Sequence, residues 1–499
     1  MTEIPPQSRF EQSDDLVVMK FGGTSVEDAA AIDRLTQIVR SRLHAQPLVV
    51  VSALAGVTNQ LLDAGKAAAA GHLGAALATA RDLYIRHEQL TAEVLSLPNA
   101  SLDRDLGVEF RELEFLLHDL AENHRLTPQV QDRLLGFGEC LSSKLVSAAL
   151  RDAGMDSAHV DARSCIVTDD RHGQAAPLWD LTNERLEESV VPLLRSGQIP
   201  VMGGYIAATE AGVPTTLGRG GSDFSAAIVG AALHASRIEI WTDVDGIMTT
   251  DPKLCPDARV IRRISFNEAA ELAHNGAKVL HPATLAPVIR ENIPLYVMNS
   301  RHPENEGTEI SRAGTTGTVR AITAKRGIAA VEIDAPQGVD SESLRAICSV
   351  FDQHSCPVDV MTTSIGRASL LVGTTAALPQ IAADLEGIAQ VRWENHKALV
   401  CLVGEAIGRQ PEVASRVFAA VSDMTVQMSC HGPSGRSISF LVDESRVEES
   451  VQRLHQIFFP QQKPPADWGG DSSAFCQARQ QDPGIALRPE FSPGSSPAR

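Results

Sequence analysis

The stretch Leu16-Val17-Val18-Met19-Lys20-Phe21-Gly22-Gly23-Thr24-Ser25 decides the architecture. A short apolar run carrying one lysine breaks on two glycines, and a helical pattern then continues through Arg42. That order predicts a buried strand, a tight turn and a helix, the opening of a βαβ unit. Glycines at such a turn let backbone N–H groups approach an anion. The helix N-terminus adds partial positive charge, and a lysine at the strand end adds a mobile point charge. A strand ending in a turn with Lys20 solvated fits the same ten residues. Neither a G-x-x-x-x-G-K-[ST] loop nor a G-x-G-x-x-G opening a helix occurs.

The same rhythm extends outward. Pro47–Ser52 reads as a second buried strand, and residues 60–125 read as helical from the spacing of Leu83, Leu90 and Val94, then Leu113, Leu116, Leu117 and Leu120. Further strands are expected at Ser157–Asp161, at Ile199–Ile206 (led into by Val191–Leu194), at Arg237–Thr242 and at Pro294–Met298. Strands alternating with helices predict a mostly parallel sheet covered on both faces, over residues 16–313. Residues 314–327 read as a polar linker. Beyond them the order strand, helix, strand, strand, helix occurs twice, with units at about 341–393 and 398–458 inside a region 328–458. Residues 1–15 and 460–499 lack apolar periodicity and read as a disordered lead and tail.

The 499-residue chain carries 44 Lys and Arg against 62 Asp and Glu, a formal charge of −18. Phosphate backbones are bound through Lys and Arg, so this balance speaks against nucleic acid, and equally against an anionic membrane surface. Any phosphate handled here must meet a local positive site. The longest apolar runs are too short to span a bilayer, and the first 15 residues resemble no targeting signal. Eight cysteines without a C-x-x-C pair predict reduced thiols in a cytoplasm, with no metal site.

Three further segments carry candidate chemistry. Thr215-Thr216-Leu217-Gly218-Arg219-Gly220-Gly221-Ser222-Asp223 leads into an apolar helix. Its glycines leave room for a small ligand, and Arg219 suits bidentate carboxylate binding. Ser222 or Asp223 is also a possible helix cap. Trp241 to Lys253 is a polar loop after a strand, where open α/β sheets bind ligands. In Gly136-Phe137-Gly138-Glu139-Cys140-Leu141-Ser142, spacing favours an exposed helix-start role for Glu139 over a paired buried carboxylate.

Taken together, KFGGTS (20–25), VVVSALAGVTN (49–59), GECLS (138–142), TTLGRGGSD (215–223), WTDVDGI (241–247) and GAKVLHP (276–282), followed by the twofold repeat, resemble the aspartate kinases of the amino acid kinase superfamily. The resemblance covers residues 16–458. It implies a three-layer αβα kinase domain followed by two α+β, ferredoxin-like ACT units. It also implies phosphorylation of L-aspartate by ATP to 4-phospho-L-aspartate, the first step toward lysine, threonine and methionine, with Mg2+ arriving on the nucleotide.

Carried over residue by residue, Lys20 would neutralise the transferring group and Asp223 would position it. Thr58, Glu139, Arg219, Gly221 and Ser222 would hold aspartate. Gly22, Gly23, Thr242, Asp243, Met248, Lys253, Lys278 and Val279 would line the ATP site. Ala207 and Pro214 depart from the family pattern without removing a charged position. In the repeat, Val358-Asp359 and Thr363-Ser364 match the effector segment of lysine-sensitive relatives, so Asp359 and Ser364 are expected to meet a lysine or threonine effector. A homodimer or higher oligomer through the ACT units is implied. The competing functions are a non-catalytic amino-acid sensor on a kinase scaffold, or a kinase for another small amino acid.

Overall fold

The computed structural model describes residues 16–277, 280–313, 319–335 and 340–460. The expected lead at 1–15, the tail from 461 and the ATP-site candidates Lys278 and Val279 lie outside the described residues. Through residue 313 the strands are β1 (Val17–Phe21), β2 (Pro47–Val51), β3 (Ser157–Val160), β4 (Val167–Thr168), β5 (Ile199–Gly203), β6 (Ile206–Thr209), β7 (Pro214–Thr216), β8 (Arg237–Thr242), β9 (Arg263–Ser265), β10 (Leu295–Asn299) and β11 (Thr308–Ser311). Eight form one sheet in the order β3-β5-β2-β1-β8-β10-β11-β9, parallel throughout except between β10 and β11. Strands β4, β6 and β7 form a small separate sheet.

Alternation along β1 builds the three layers. Val17, Met19 and Phe21 enter one core with Leu35 and Val39 of the helix Ala29–Arg40. Leu16 and Val18 enter the opposite core with Ile228 and Val229 of the helix Gly221–Ala232. Period-two geometry therefore turns Lys20 toward that second helix. The helices Val57–Ala69, Leu73–Val94, Ala100–Asn123 and Pro128–Asp152 pack around Leu61, Leu83, Leu113, Leu117 and Leu134, as the leucine spacing requires. The last of them is capped at its start. Thr127 accepts a hydrogen bond from the Val130 amide at 3.3 Å, and Pro128 occupies the first turn.

One expectation changes in this half. Val191–Leu194 ends the helix Trp179–Arg195 and leads into β5, but the strand expected over 199–206 stops at Gly203. Gly204 donates to the Val51 carbonyl at 2.8 Å, and Tyr205 turns the chain with φ +65°, a left-handed conformation rare for a bulky side chain.

The remaining strands, β12 (Ala321–Asp334), β13 (Val358–Ser364), β14 (Arg367–Gly373), β15 (Gln390–Val403), β16 (Met428–His431) and β17 (Ser437–Asp443), form an antiparallel sheet ordered β13-β14-β12-β15-β17-β16. Strand β12 corrects the expected linker. Its first part, 321–325, pairs with 399–403 of β15, while 328–334 pairs with both β14 and the first part of β15. The second repeat unit is thus completed by a strand that precedes the first unit in sequence. The polar look of 324–327 reflects a crossing point between the units. Arg326 and Gly327 are exposed there and the register shifts, while Ala321, Ile322 and Thr323 are buried. Among the described residues no helix is long and apolar enough to cross a membrane, and all seven described cysteines are free.

Candidate active site

Strands β1, β2, β5 and β8 end on the same edge of the sheet, and a cavity of about 800 Å³ opens beyond them. Lys20, Gly23, Thr58, Glu139, Arg219, Gly221, Ser222 and Asp223 all line it. Segments more than 200 residues apart in sequence therefore converge as their motifs suggested.

Lys20 is only 8% exposed, and its Nζ lies 2.7 Å from Asp223 Oδ1. The angle is not that of an aligned hydrogen bond, so the contact is an ion pair. The capping role considered for Ser222 and Asp223 is not used. The helix Gly221–Ala232 starts from Gly220 in the left-handed conformation with no side-chain cap. Gly23 approaches the next strand end closely: a β-carbon there would sit 2.9 Å from the Ala53 carbonyl oxygen. Gly22 donates its amide to the Trp241 carbonyl at 2.9 Å, tying the β1 turn to the end of β8.

Glu139 overturns the helix-start expectation. It sits in the middle of Pro128–Asp152, is 4% exposed, and its Oε2 is buried with no partner. Burial pushes its carboxyl up to about 8, and the Ala53 backbone and the Lys20 charge only partly oppose this. The helix reaches the strand ends because Gly138 and Gly203 lack side chains. A β-carbon on Gly138 would meet that of Ala53 at 2.7 Å, and one on Gly203 would meet the Glu139 carbonyl oxygen at 2.9 Å. An unpartnered buried carboxylate facing a cavity is costly unless a cation completes it. Arg219, exposed where it lines the same cavity, has no carboxylate partner among the described residues. One site thus holds an open acid, an open guanidinium and a lysine at the strand ends.

The other candidates are more scattered. Thr242 and Asp243 sit at the end of β8, where the Thr242 carbonyl accepts the Ser300 amide at 2.8 Å and the Thr242 hydroxyl donates to Asp243 Oδ1 at 3.2 Å. Met248 bridges to Val260, and the Lys253 amide donates to Asp251 at 2.9 Å; neither lines the cavity. Asp359 lies in the second sheet, where both carboxylate oxygens accept from Lys325 Nζ, at 2.7 and 2.6 Å. Ser364 ends the same strand and is exposed. Tyr205, Gly173 and Gln131 line the cavity and were missed. The doubled glycine before Tyr205 was the only available signal for any of them.

The loop after β8 also meets the second sheet. The Ile322 amide donates to the Thr249 carbonyl at 2.7 Å, Thr249 Oγ1 lies 2.9 Å from His455 Nε2, and Gln452 donates to the Leu254 carbonyl at 2.9 Å.

A doubly covered parallel sheet with a lysine–aspartate pair at its strand ends, beside a buried open acid and an exposed guanidinium, suits an anionic phosphoryl donor and a small zwitterionic acceptor. The amino acid kinase family model matches residues 15–299, and an ACT domain model matches 400–458. Lysine-sensitive aspartokinase 3 of Escherichia coli is 35% identical over 462 residues, 89% of this chain and 99% of that protein. Chloroplastic aspartokinase 3 of Arabidopsis thaliana is 32% identical over 89% of this chain and 81% of its own length. The crystal structure of E. coli aspartokinase III with aspartate and ADP matches with TM-score 0.78 at 34% identity, over 89% of this chain and all of the other. The same enzyme with lysine and aspartate matches with TM-score 0.75 at 33% identity, over the same shares. The chain belongs to the amino acid kinase family and, within it, to the aspartokinases. It phosphorylates the side-chain carboxylate of aspartate at the expense of ATP.

Proposed function

We propose a division of labour for this transfer. Glu139 accepts the substrate ammonium and Arg219 binds the α-carboxylate, with Thr58, Gly221 and Ser222 completing the pocket. One observation carries this: the buried Glu139 Oε2 has no partner while sharing a cavity with an unpaired Arg219. An oxygen of the side-chain carboxylate attacks the γ-phosphorus. The new C–O–P bond forms as the bond from γ-phosphorus to the bridging oxygen breaks, and that electron pair leaves with ADP. The nucleophile is already anionic, so no proton must be removed. Catalysis then consists of in-line positioning and charge neutralisation. Lys20 supplies the positive charge, Asp223 orients it, and Gly23 faces the phosphates, while the Gly22 amide holds the turn through the Trp241 carbonyl. Thr242, Asp243, Met248 and Lys253 are assigned to the nucleotide side. Asp223 offers a hard oxygen donor suited to Mg2+ brought in on ATP, which when bound neutralises phosphate charge. Hydroxylamine trapping with aspartate, glutamate and succinate tests the pocket. Aspartate should give hydroxamate at least about a hundredfold faster than succinate, which lacks the ammonium. Equal turnover of the three would overturn the assignment.

We also place the catalytic half at 16–313 and the regulatory half at 321–458, in a cytoplasmic homo-oligomer assembled through the ACT units and feedback-controlled by lysine. The match of Asp359 and Ser364 to the effector segment supports this, as does the lysine-sensitive relative. Here the Lys325 ammonium already occupies Asp359, so an effector ammonium must displace it. Lys325→Gln is expected to lower the lysine concentration for half-inhibition several-fold. An unchanged inhibition curve would remove Asp359 from the effector site.

A further inference from the structure

Asp132 lies outside every motif that pointed to the active site. It precedes Glu139 by seven residues on the same helix, two turns away on the same face. It is 1% exposed, yet none of its partners is on its own helix. Its Oδ1 accepts from the Thr216 hydroxyl at 2.5 Å. The Gly173 amide reaches both of its oxygens, at 3.1 and 3.0 Å, and His172 Nδ1 lies 2.8 Å from Oδ2. An ionised carboxylate only accepts, so the last contact requires the hydrogen on Nδ1.

These partners belong to two segments that wall the cavity. The loop 169–176 closes on itself through Asp169, which accepts from the Ala176 amide at 2.9 Å and pairs with Arg171. The loop also joins β7 through the Ala175 amide and the Thr216 carbonyl at 3.0 Å. Gly173 then abuts Gly218 so closely that a β-carbon on Gly218 would lie 3.0 Å from the Gly173 carbonyl oxygen. Gly173 and Gly218 both take positive φ and both line the cavity, and Arg219 follows directly.

We propose that Asp132 is a positioning residue for aspartate. Its carboxylate clamps Gly173 and Thr216 together, which fixes Gly218 and so the place from which Arg219 reaches the substrate. The proposal rests on Arg219 binding the α-carboxylate. It assigns to the helix a second task beside presenting Glu139.

The test is steady-state kinetics on Asp132→Asn, Thr216→Val and Thr216→Ser, with Arg219→Ala in parallel. Asp132→Asn turns an acceptor into a donor facing the Gly173 amide. It should raise the KM for aspartate about tenfold or more and leave the KM for ATP within about twofold. Thr216→Val should move the aspartate KM in the same direction by a smaller factor, and Thr216→Ser, which keeps the hydroxyl, should restore it. A purely structural role would lower Tm and the active fraction with both KM values unchanged, and that result overturns the proposal. If Asp132→Asn fails to fold, the Thr216 pair decides alone: equal aspartate KM values for Val and Ser overturn it. Should Arg219→Ala raise the aspartate KM while the Asp132 and Thr216 variants do not, the clamp is wrong and the Arg219 assignment stands. An unmoved KM in Arg219→Ala, with the Asp132 and Thr216 effects present, retains the clamp and transfers the carboxylate contact to another group on that wall.

Discussion

Lys20→Met is expected to lower kcat roughly a thousandfold or more, the largest effect of any single change in the catalytic half. An anionic carboxylate attacks an anionic phosphate, and removing one preorganised charge at such a centre costs about 10²–10⁵ in rate. Lys20 is preorganised in three ways: by the central strand, by the adjoining glycine turn, and by the 2.7 Å ion pair to Asp223. The same substitution leaves Asp223 mostly buried without its partner, so Tm should fall as well. Lys20→Met combined with Asp223→Asn should recover much of the lost Tm and none of the activity, separating the two roles. Lys20→Arg should not rescue, because a planar, longer guanidinium does not replace a compact ammonium. A kcat within tenfold of the parent in folded Lys20→Met would assign the neutralising charge elsewhere.

Glu139→Gln should raise the KM for aspartate on the order of a hundredfold and flatten its pH dependence. Burial holds the empty-site carboxyl at about 8, so at neutral pH it is largely protonated until substrate arrives. On the proposed assignment the substrate ammonium needs the ionised form, so binding expels a proton. In the parent enzyme log KM should fall by about one per pH unit as pH rises from 6 toward 8, then level off. Stability runs the opposite way. A carboxyl whose pKa is raised by folding contributes stability that is fully present below its unfolded value. That contribution is lost as pH rises through about 8. The empty parent should thus lose Tm between pH 6 and 8 more steeply than Glu139→Gln. A parent KM that is flat across this range would break the link between Glu139 and the substrate ammonium.

The charged centre was legible because glycines and isolated cations leave marks in a sequence. Lys20 before two glycines and Arg219 among three could be located without coordinates. The burial of Glu139 could not. The helix around it is buried on nearly every side, and no apolar stripe separates an inside from an outside. Asp132 and Tyr205 were invisible for a related reason. One is fixed by a loop 40 residues further on, and the other takes a positive φ that its residue type does not advertise. The strand at 321–325 was misread because its pairing partner is more than 70 residues away, and its polar end faces solvent at the crossing between two units.

That crossing makes the first regulatory unit a cassette. The chain enters it after Lys325 and leaves it before Leu399, and these two residues face each other on adjacent strands. A short reverse turn spliced between them would close the remaining unit as an ordinary hairpin, with its own four strands and two helices intact. Conversely, a foreign module with neighbouring antiparallel ends could be grafted at the same two points, with loss of only the Lys397–Asp443 and Ala398–Val442 pairings of the host unit. The topology thus allows the first unit to be exchanged while Ile322, Gln452 and His455, which touch the loop after β8, stay in place.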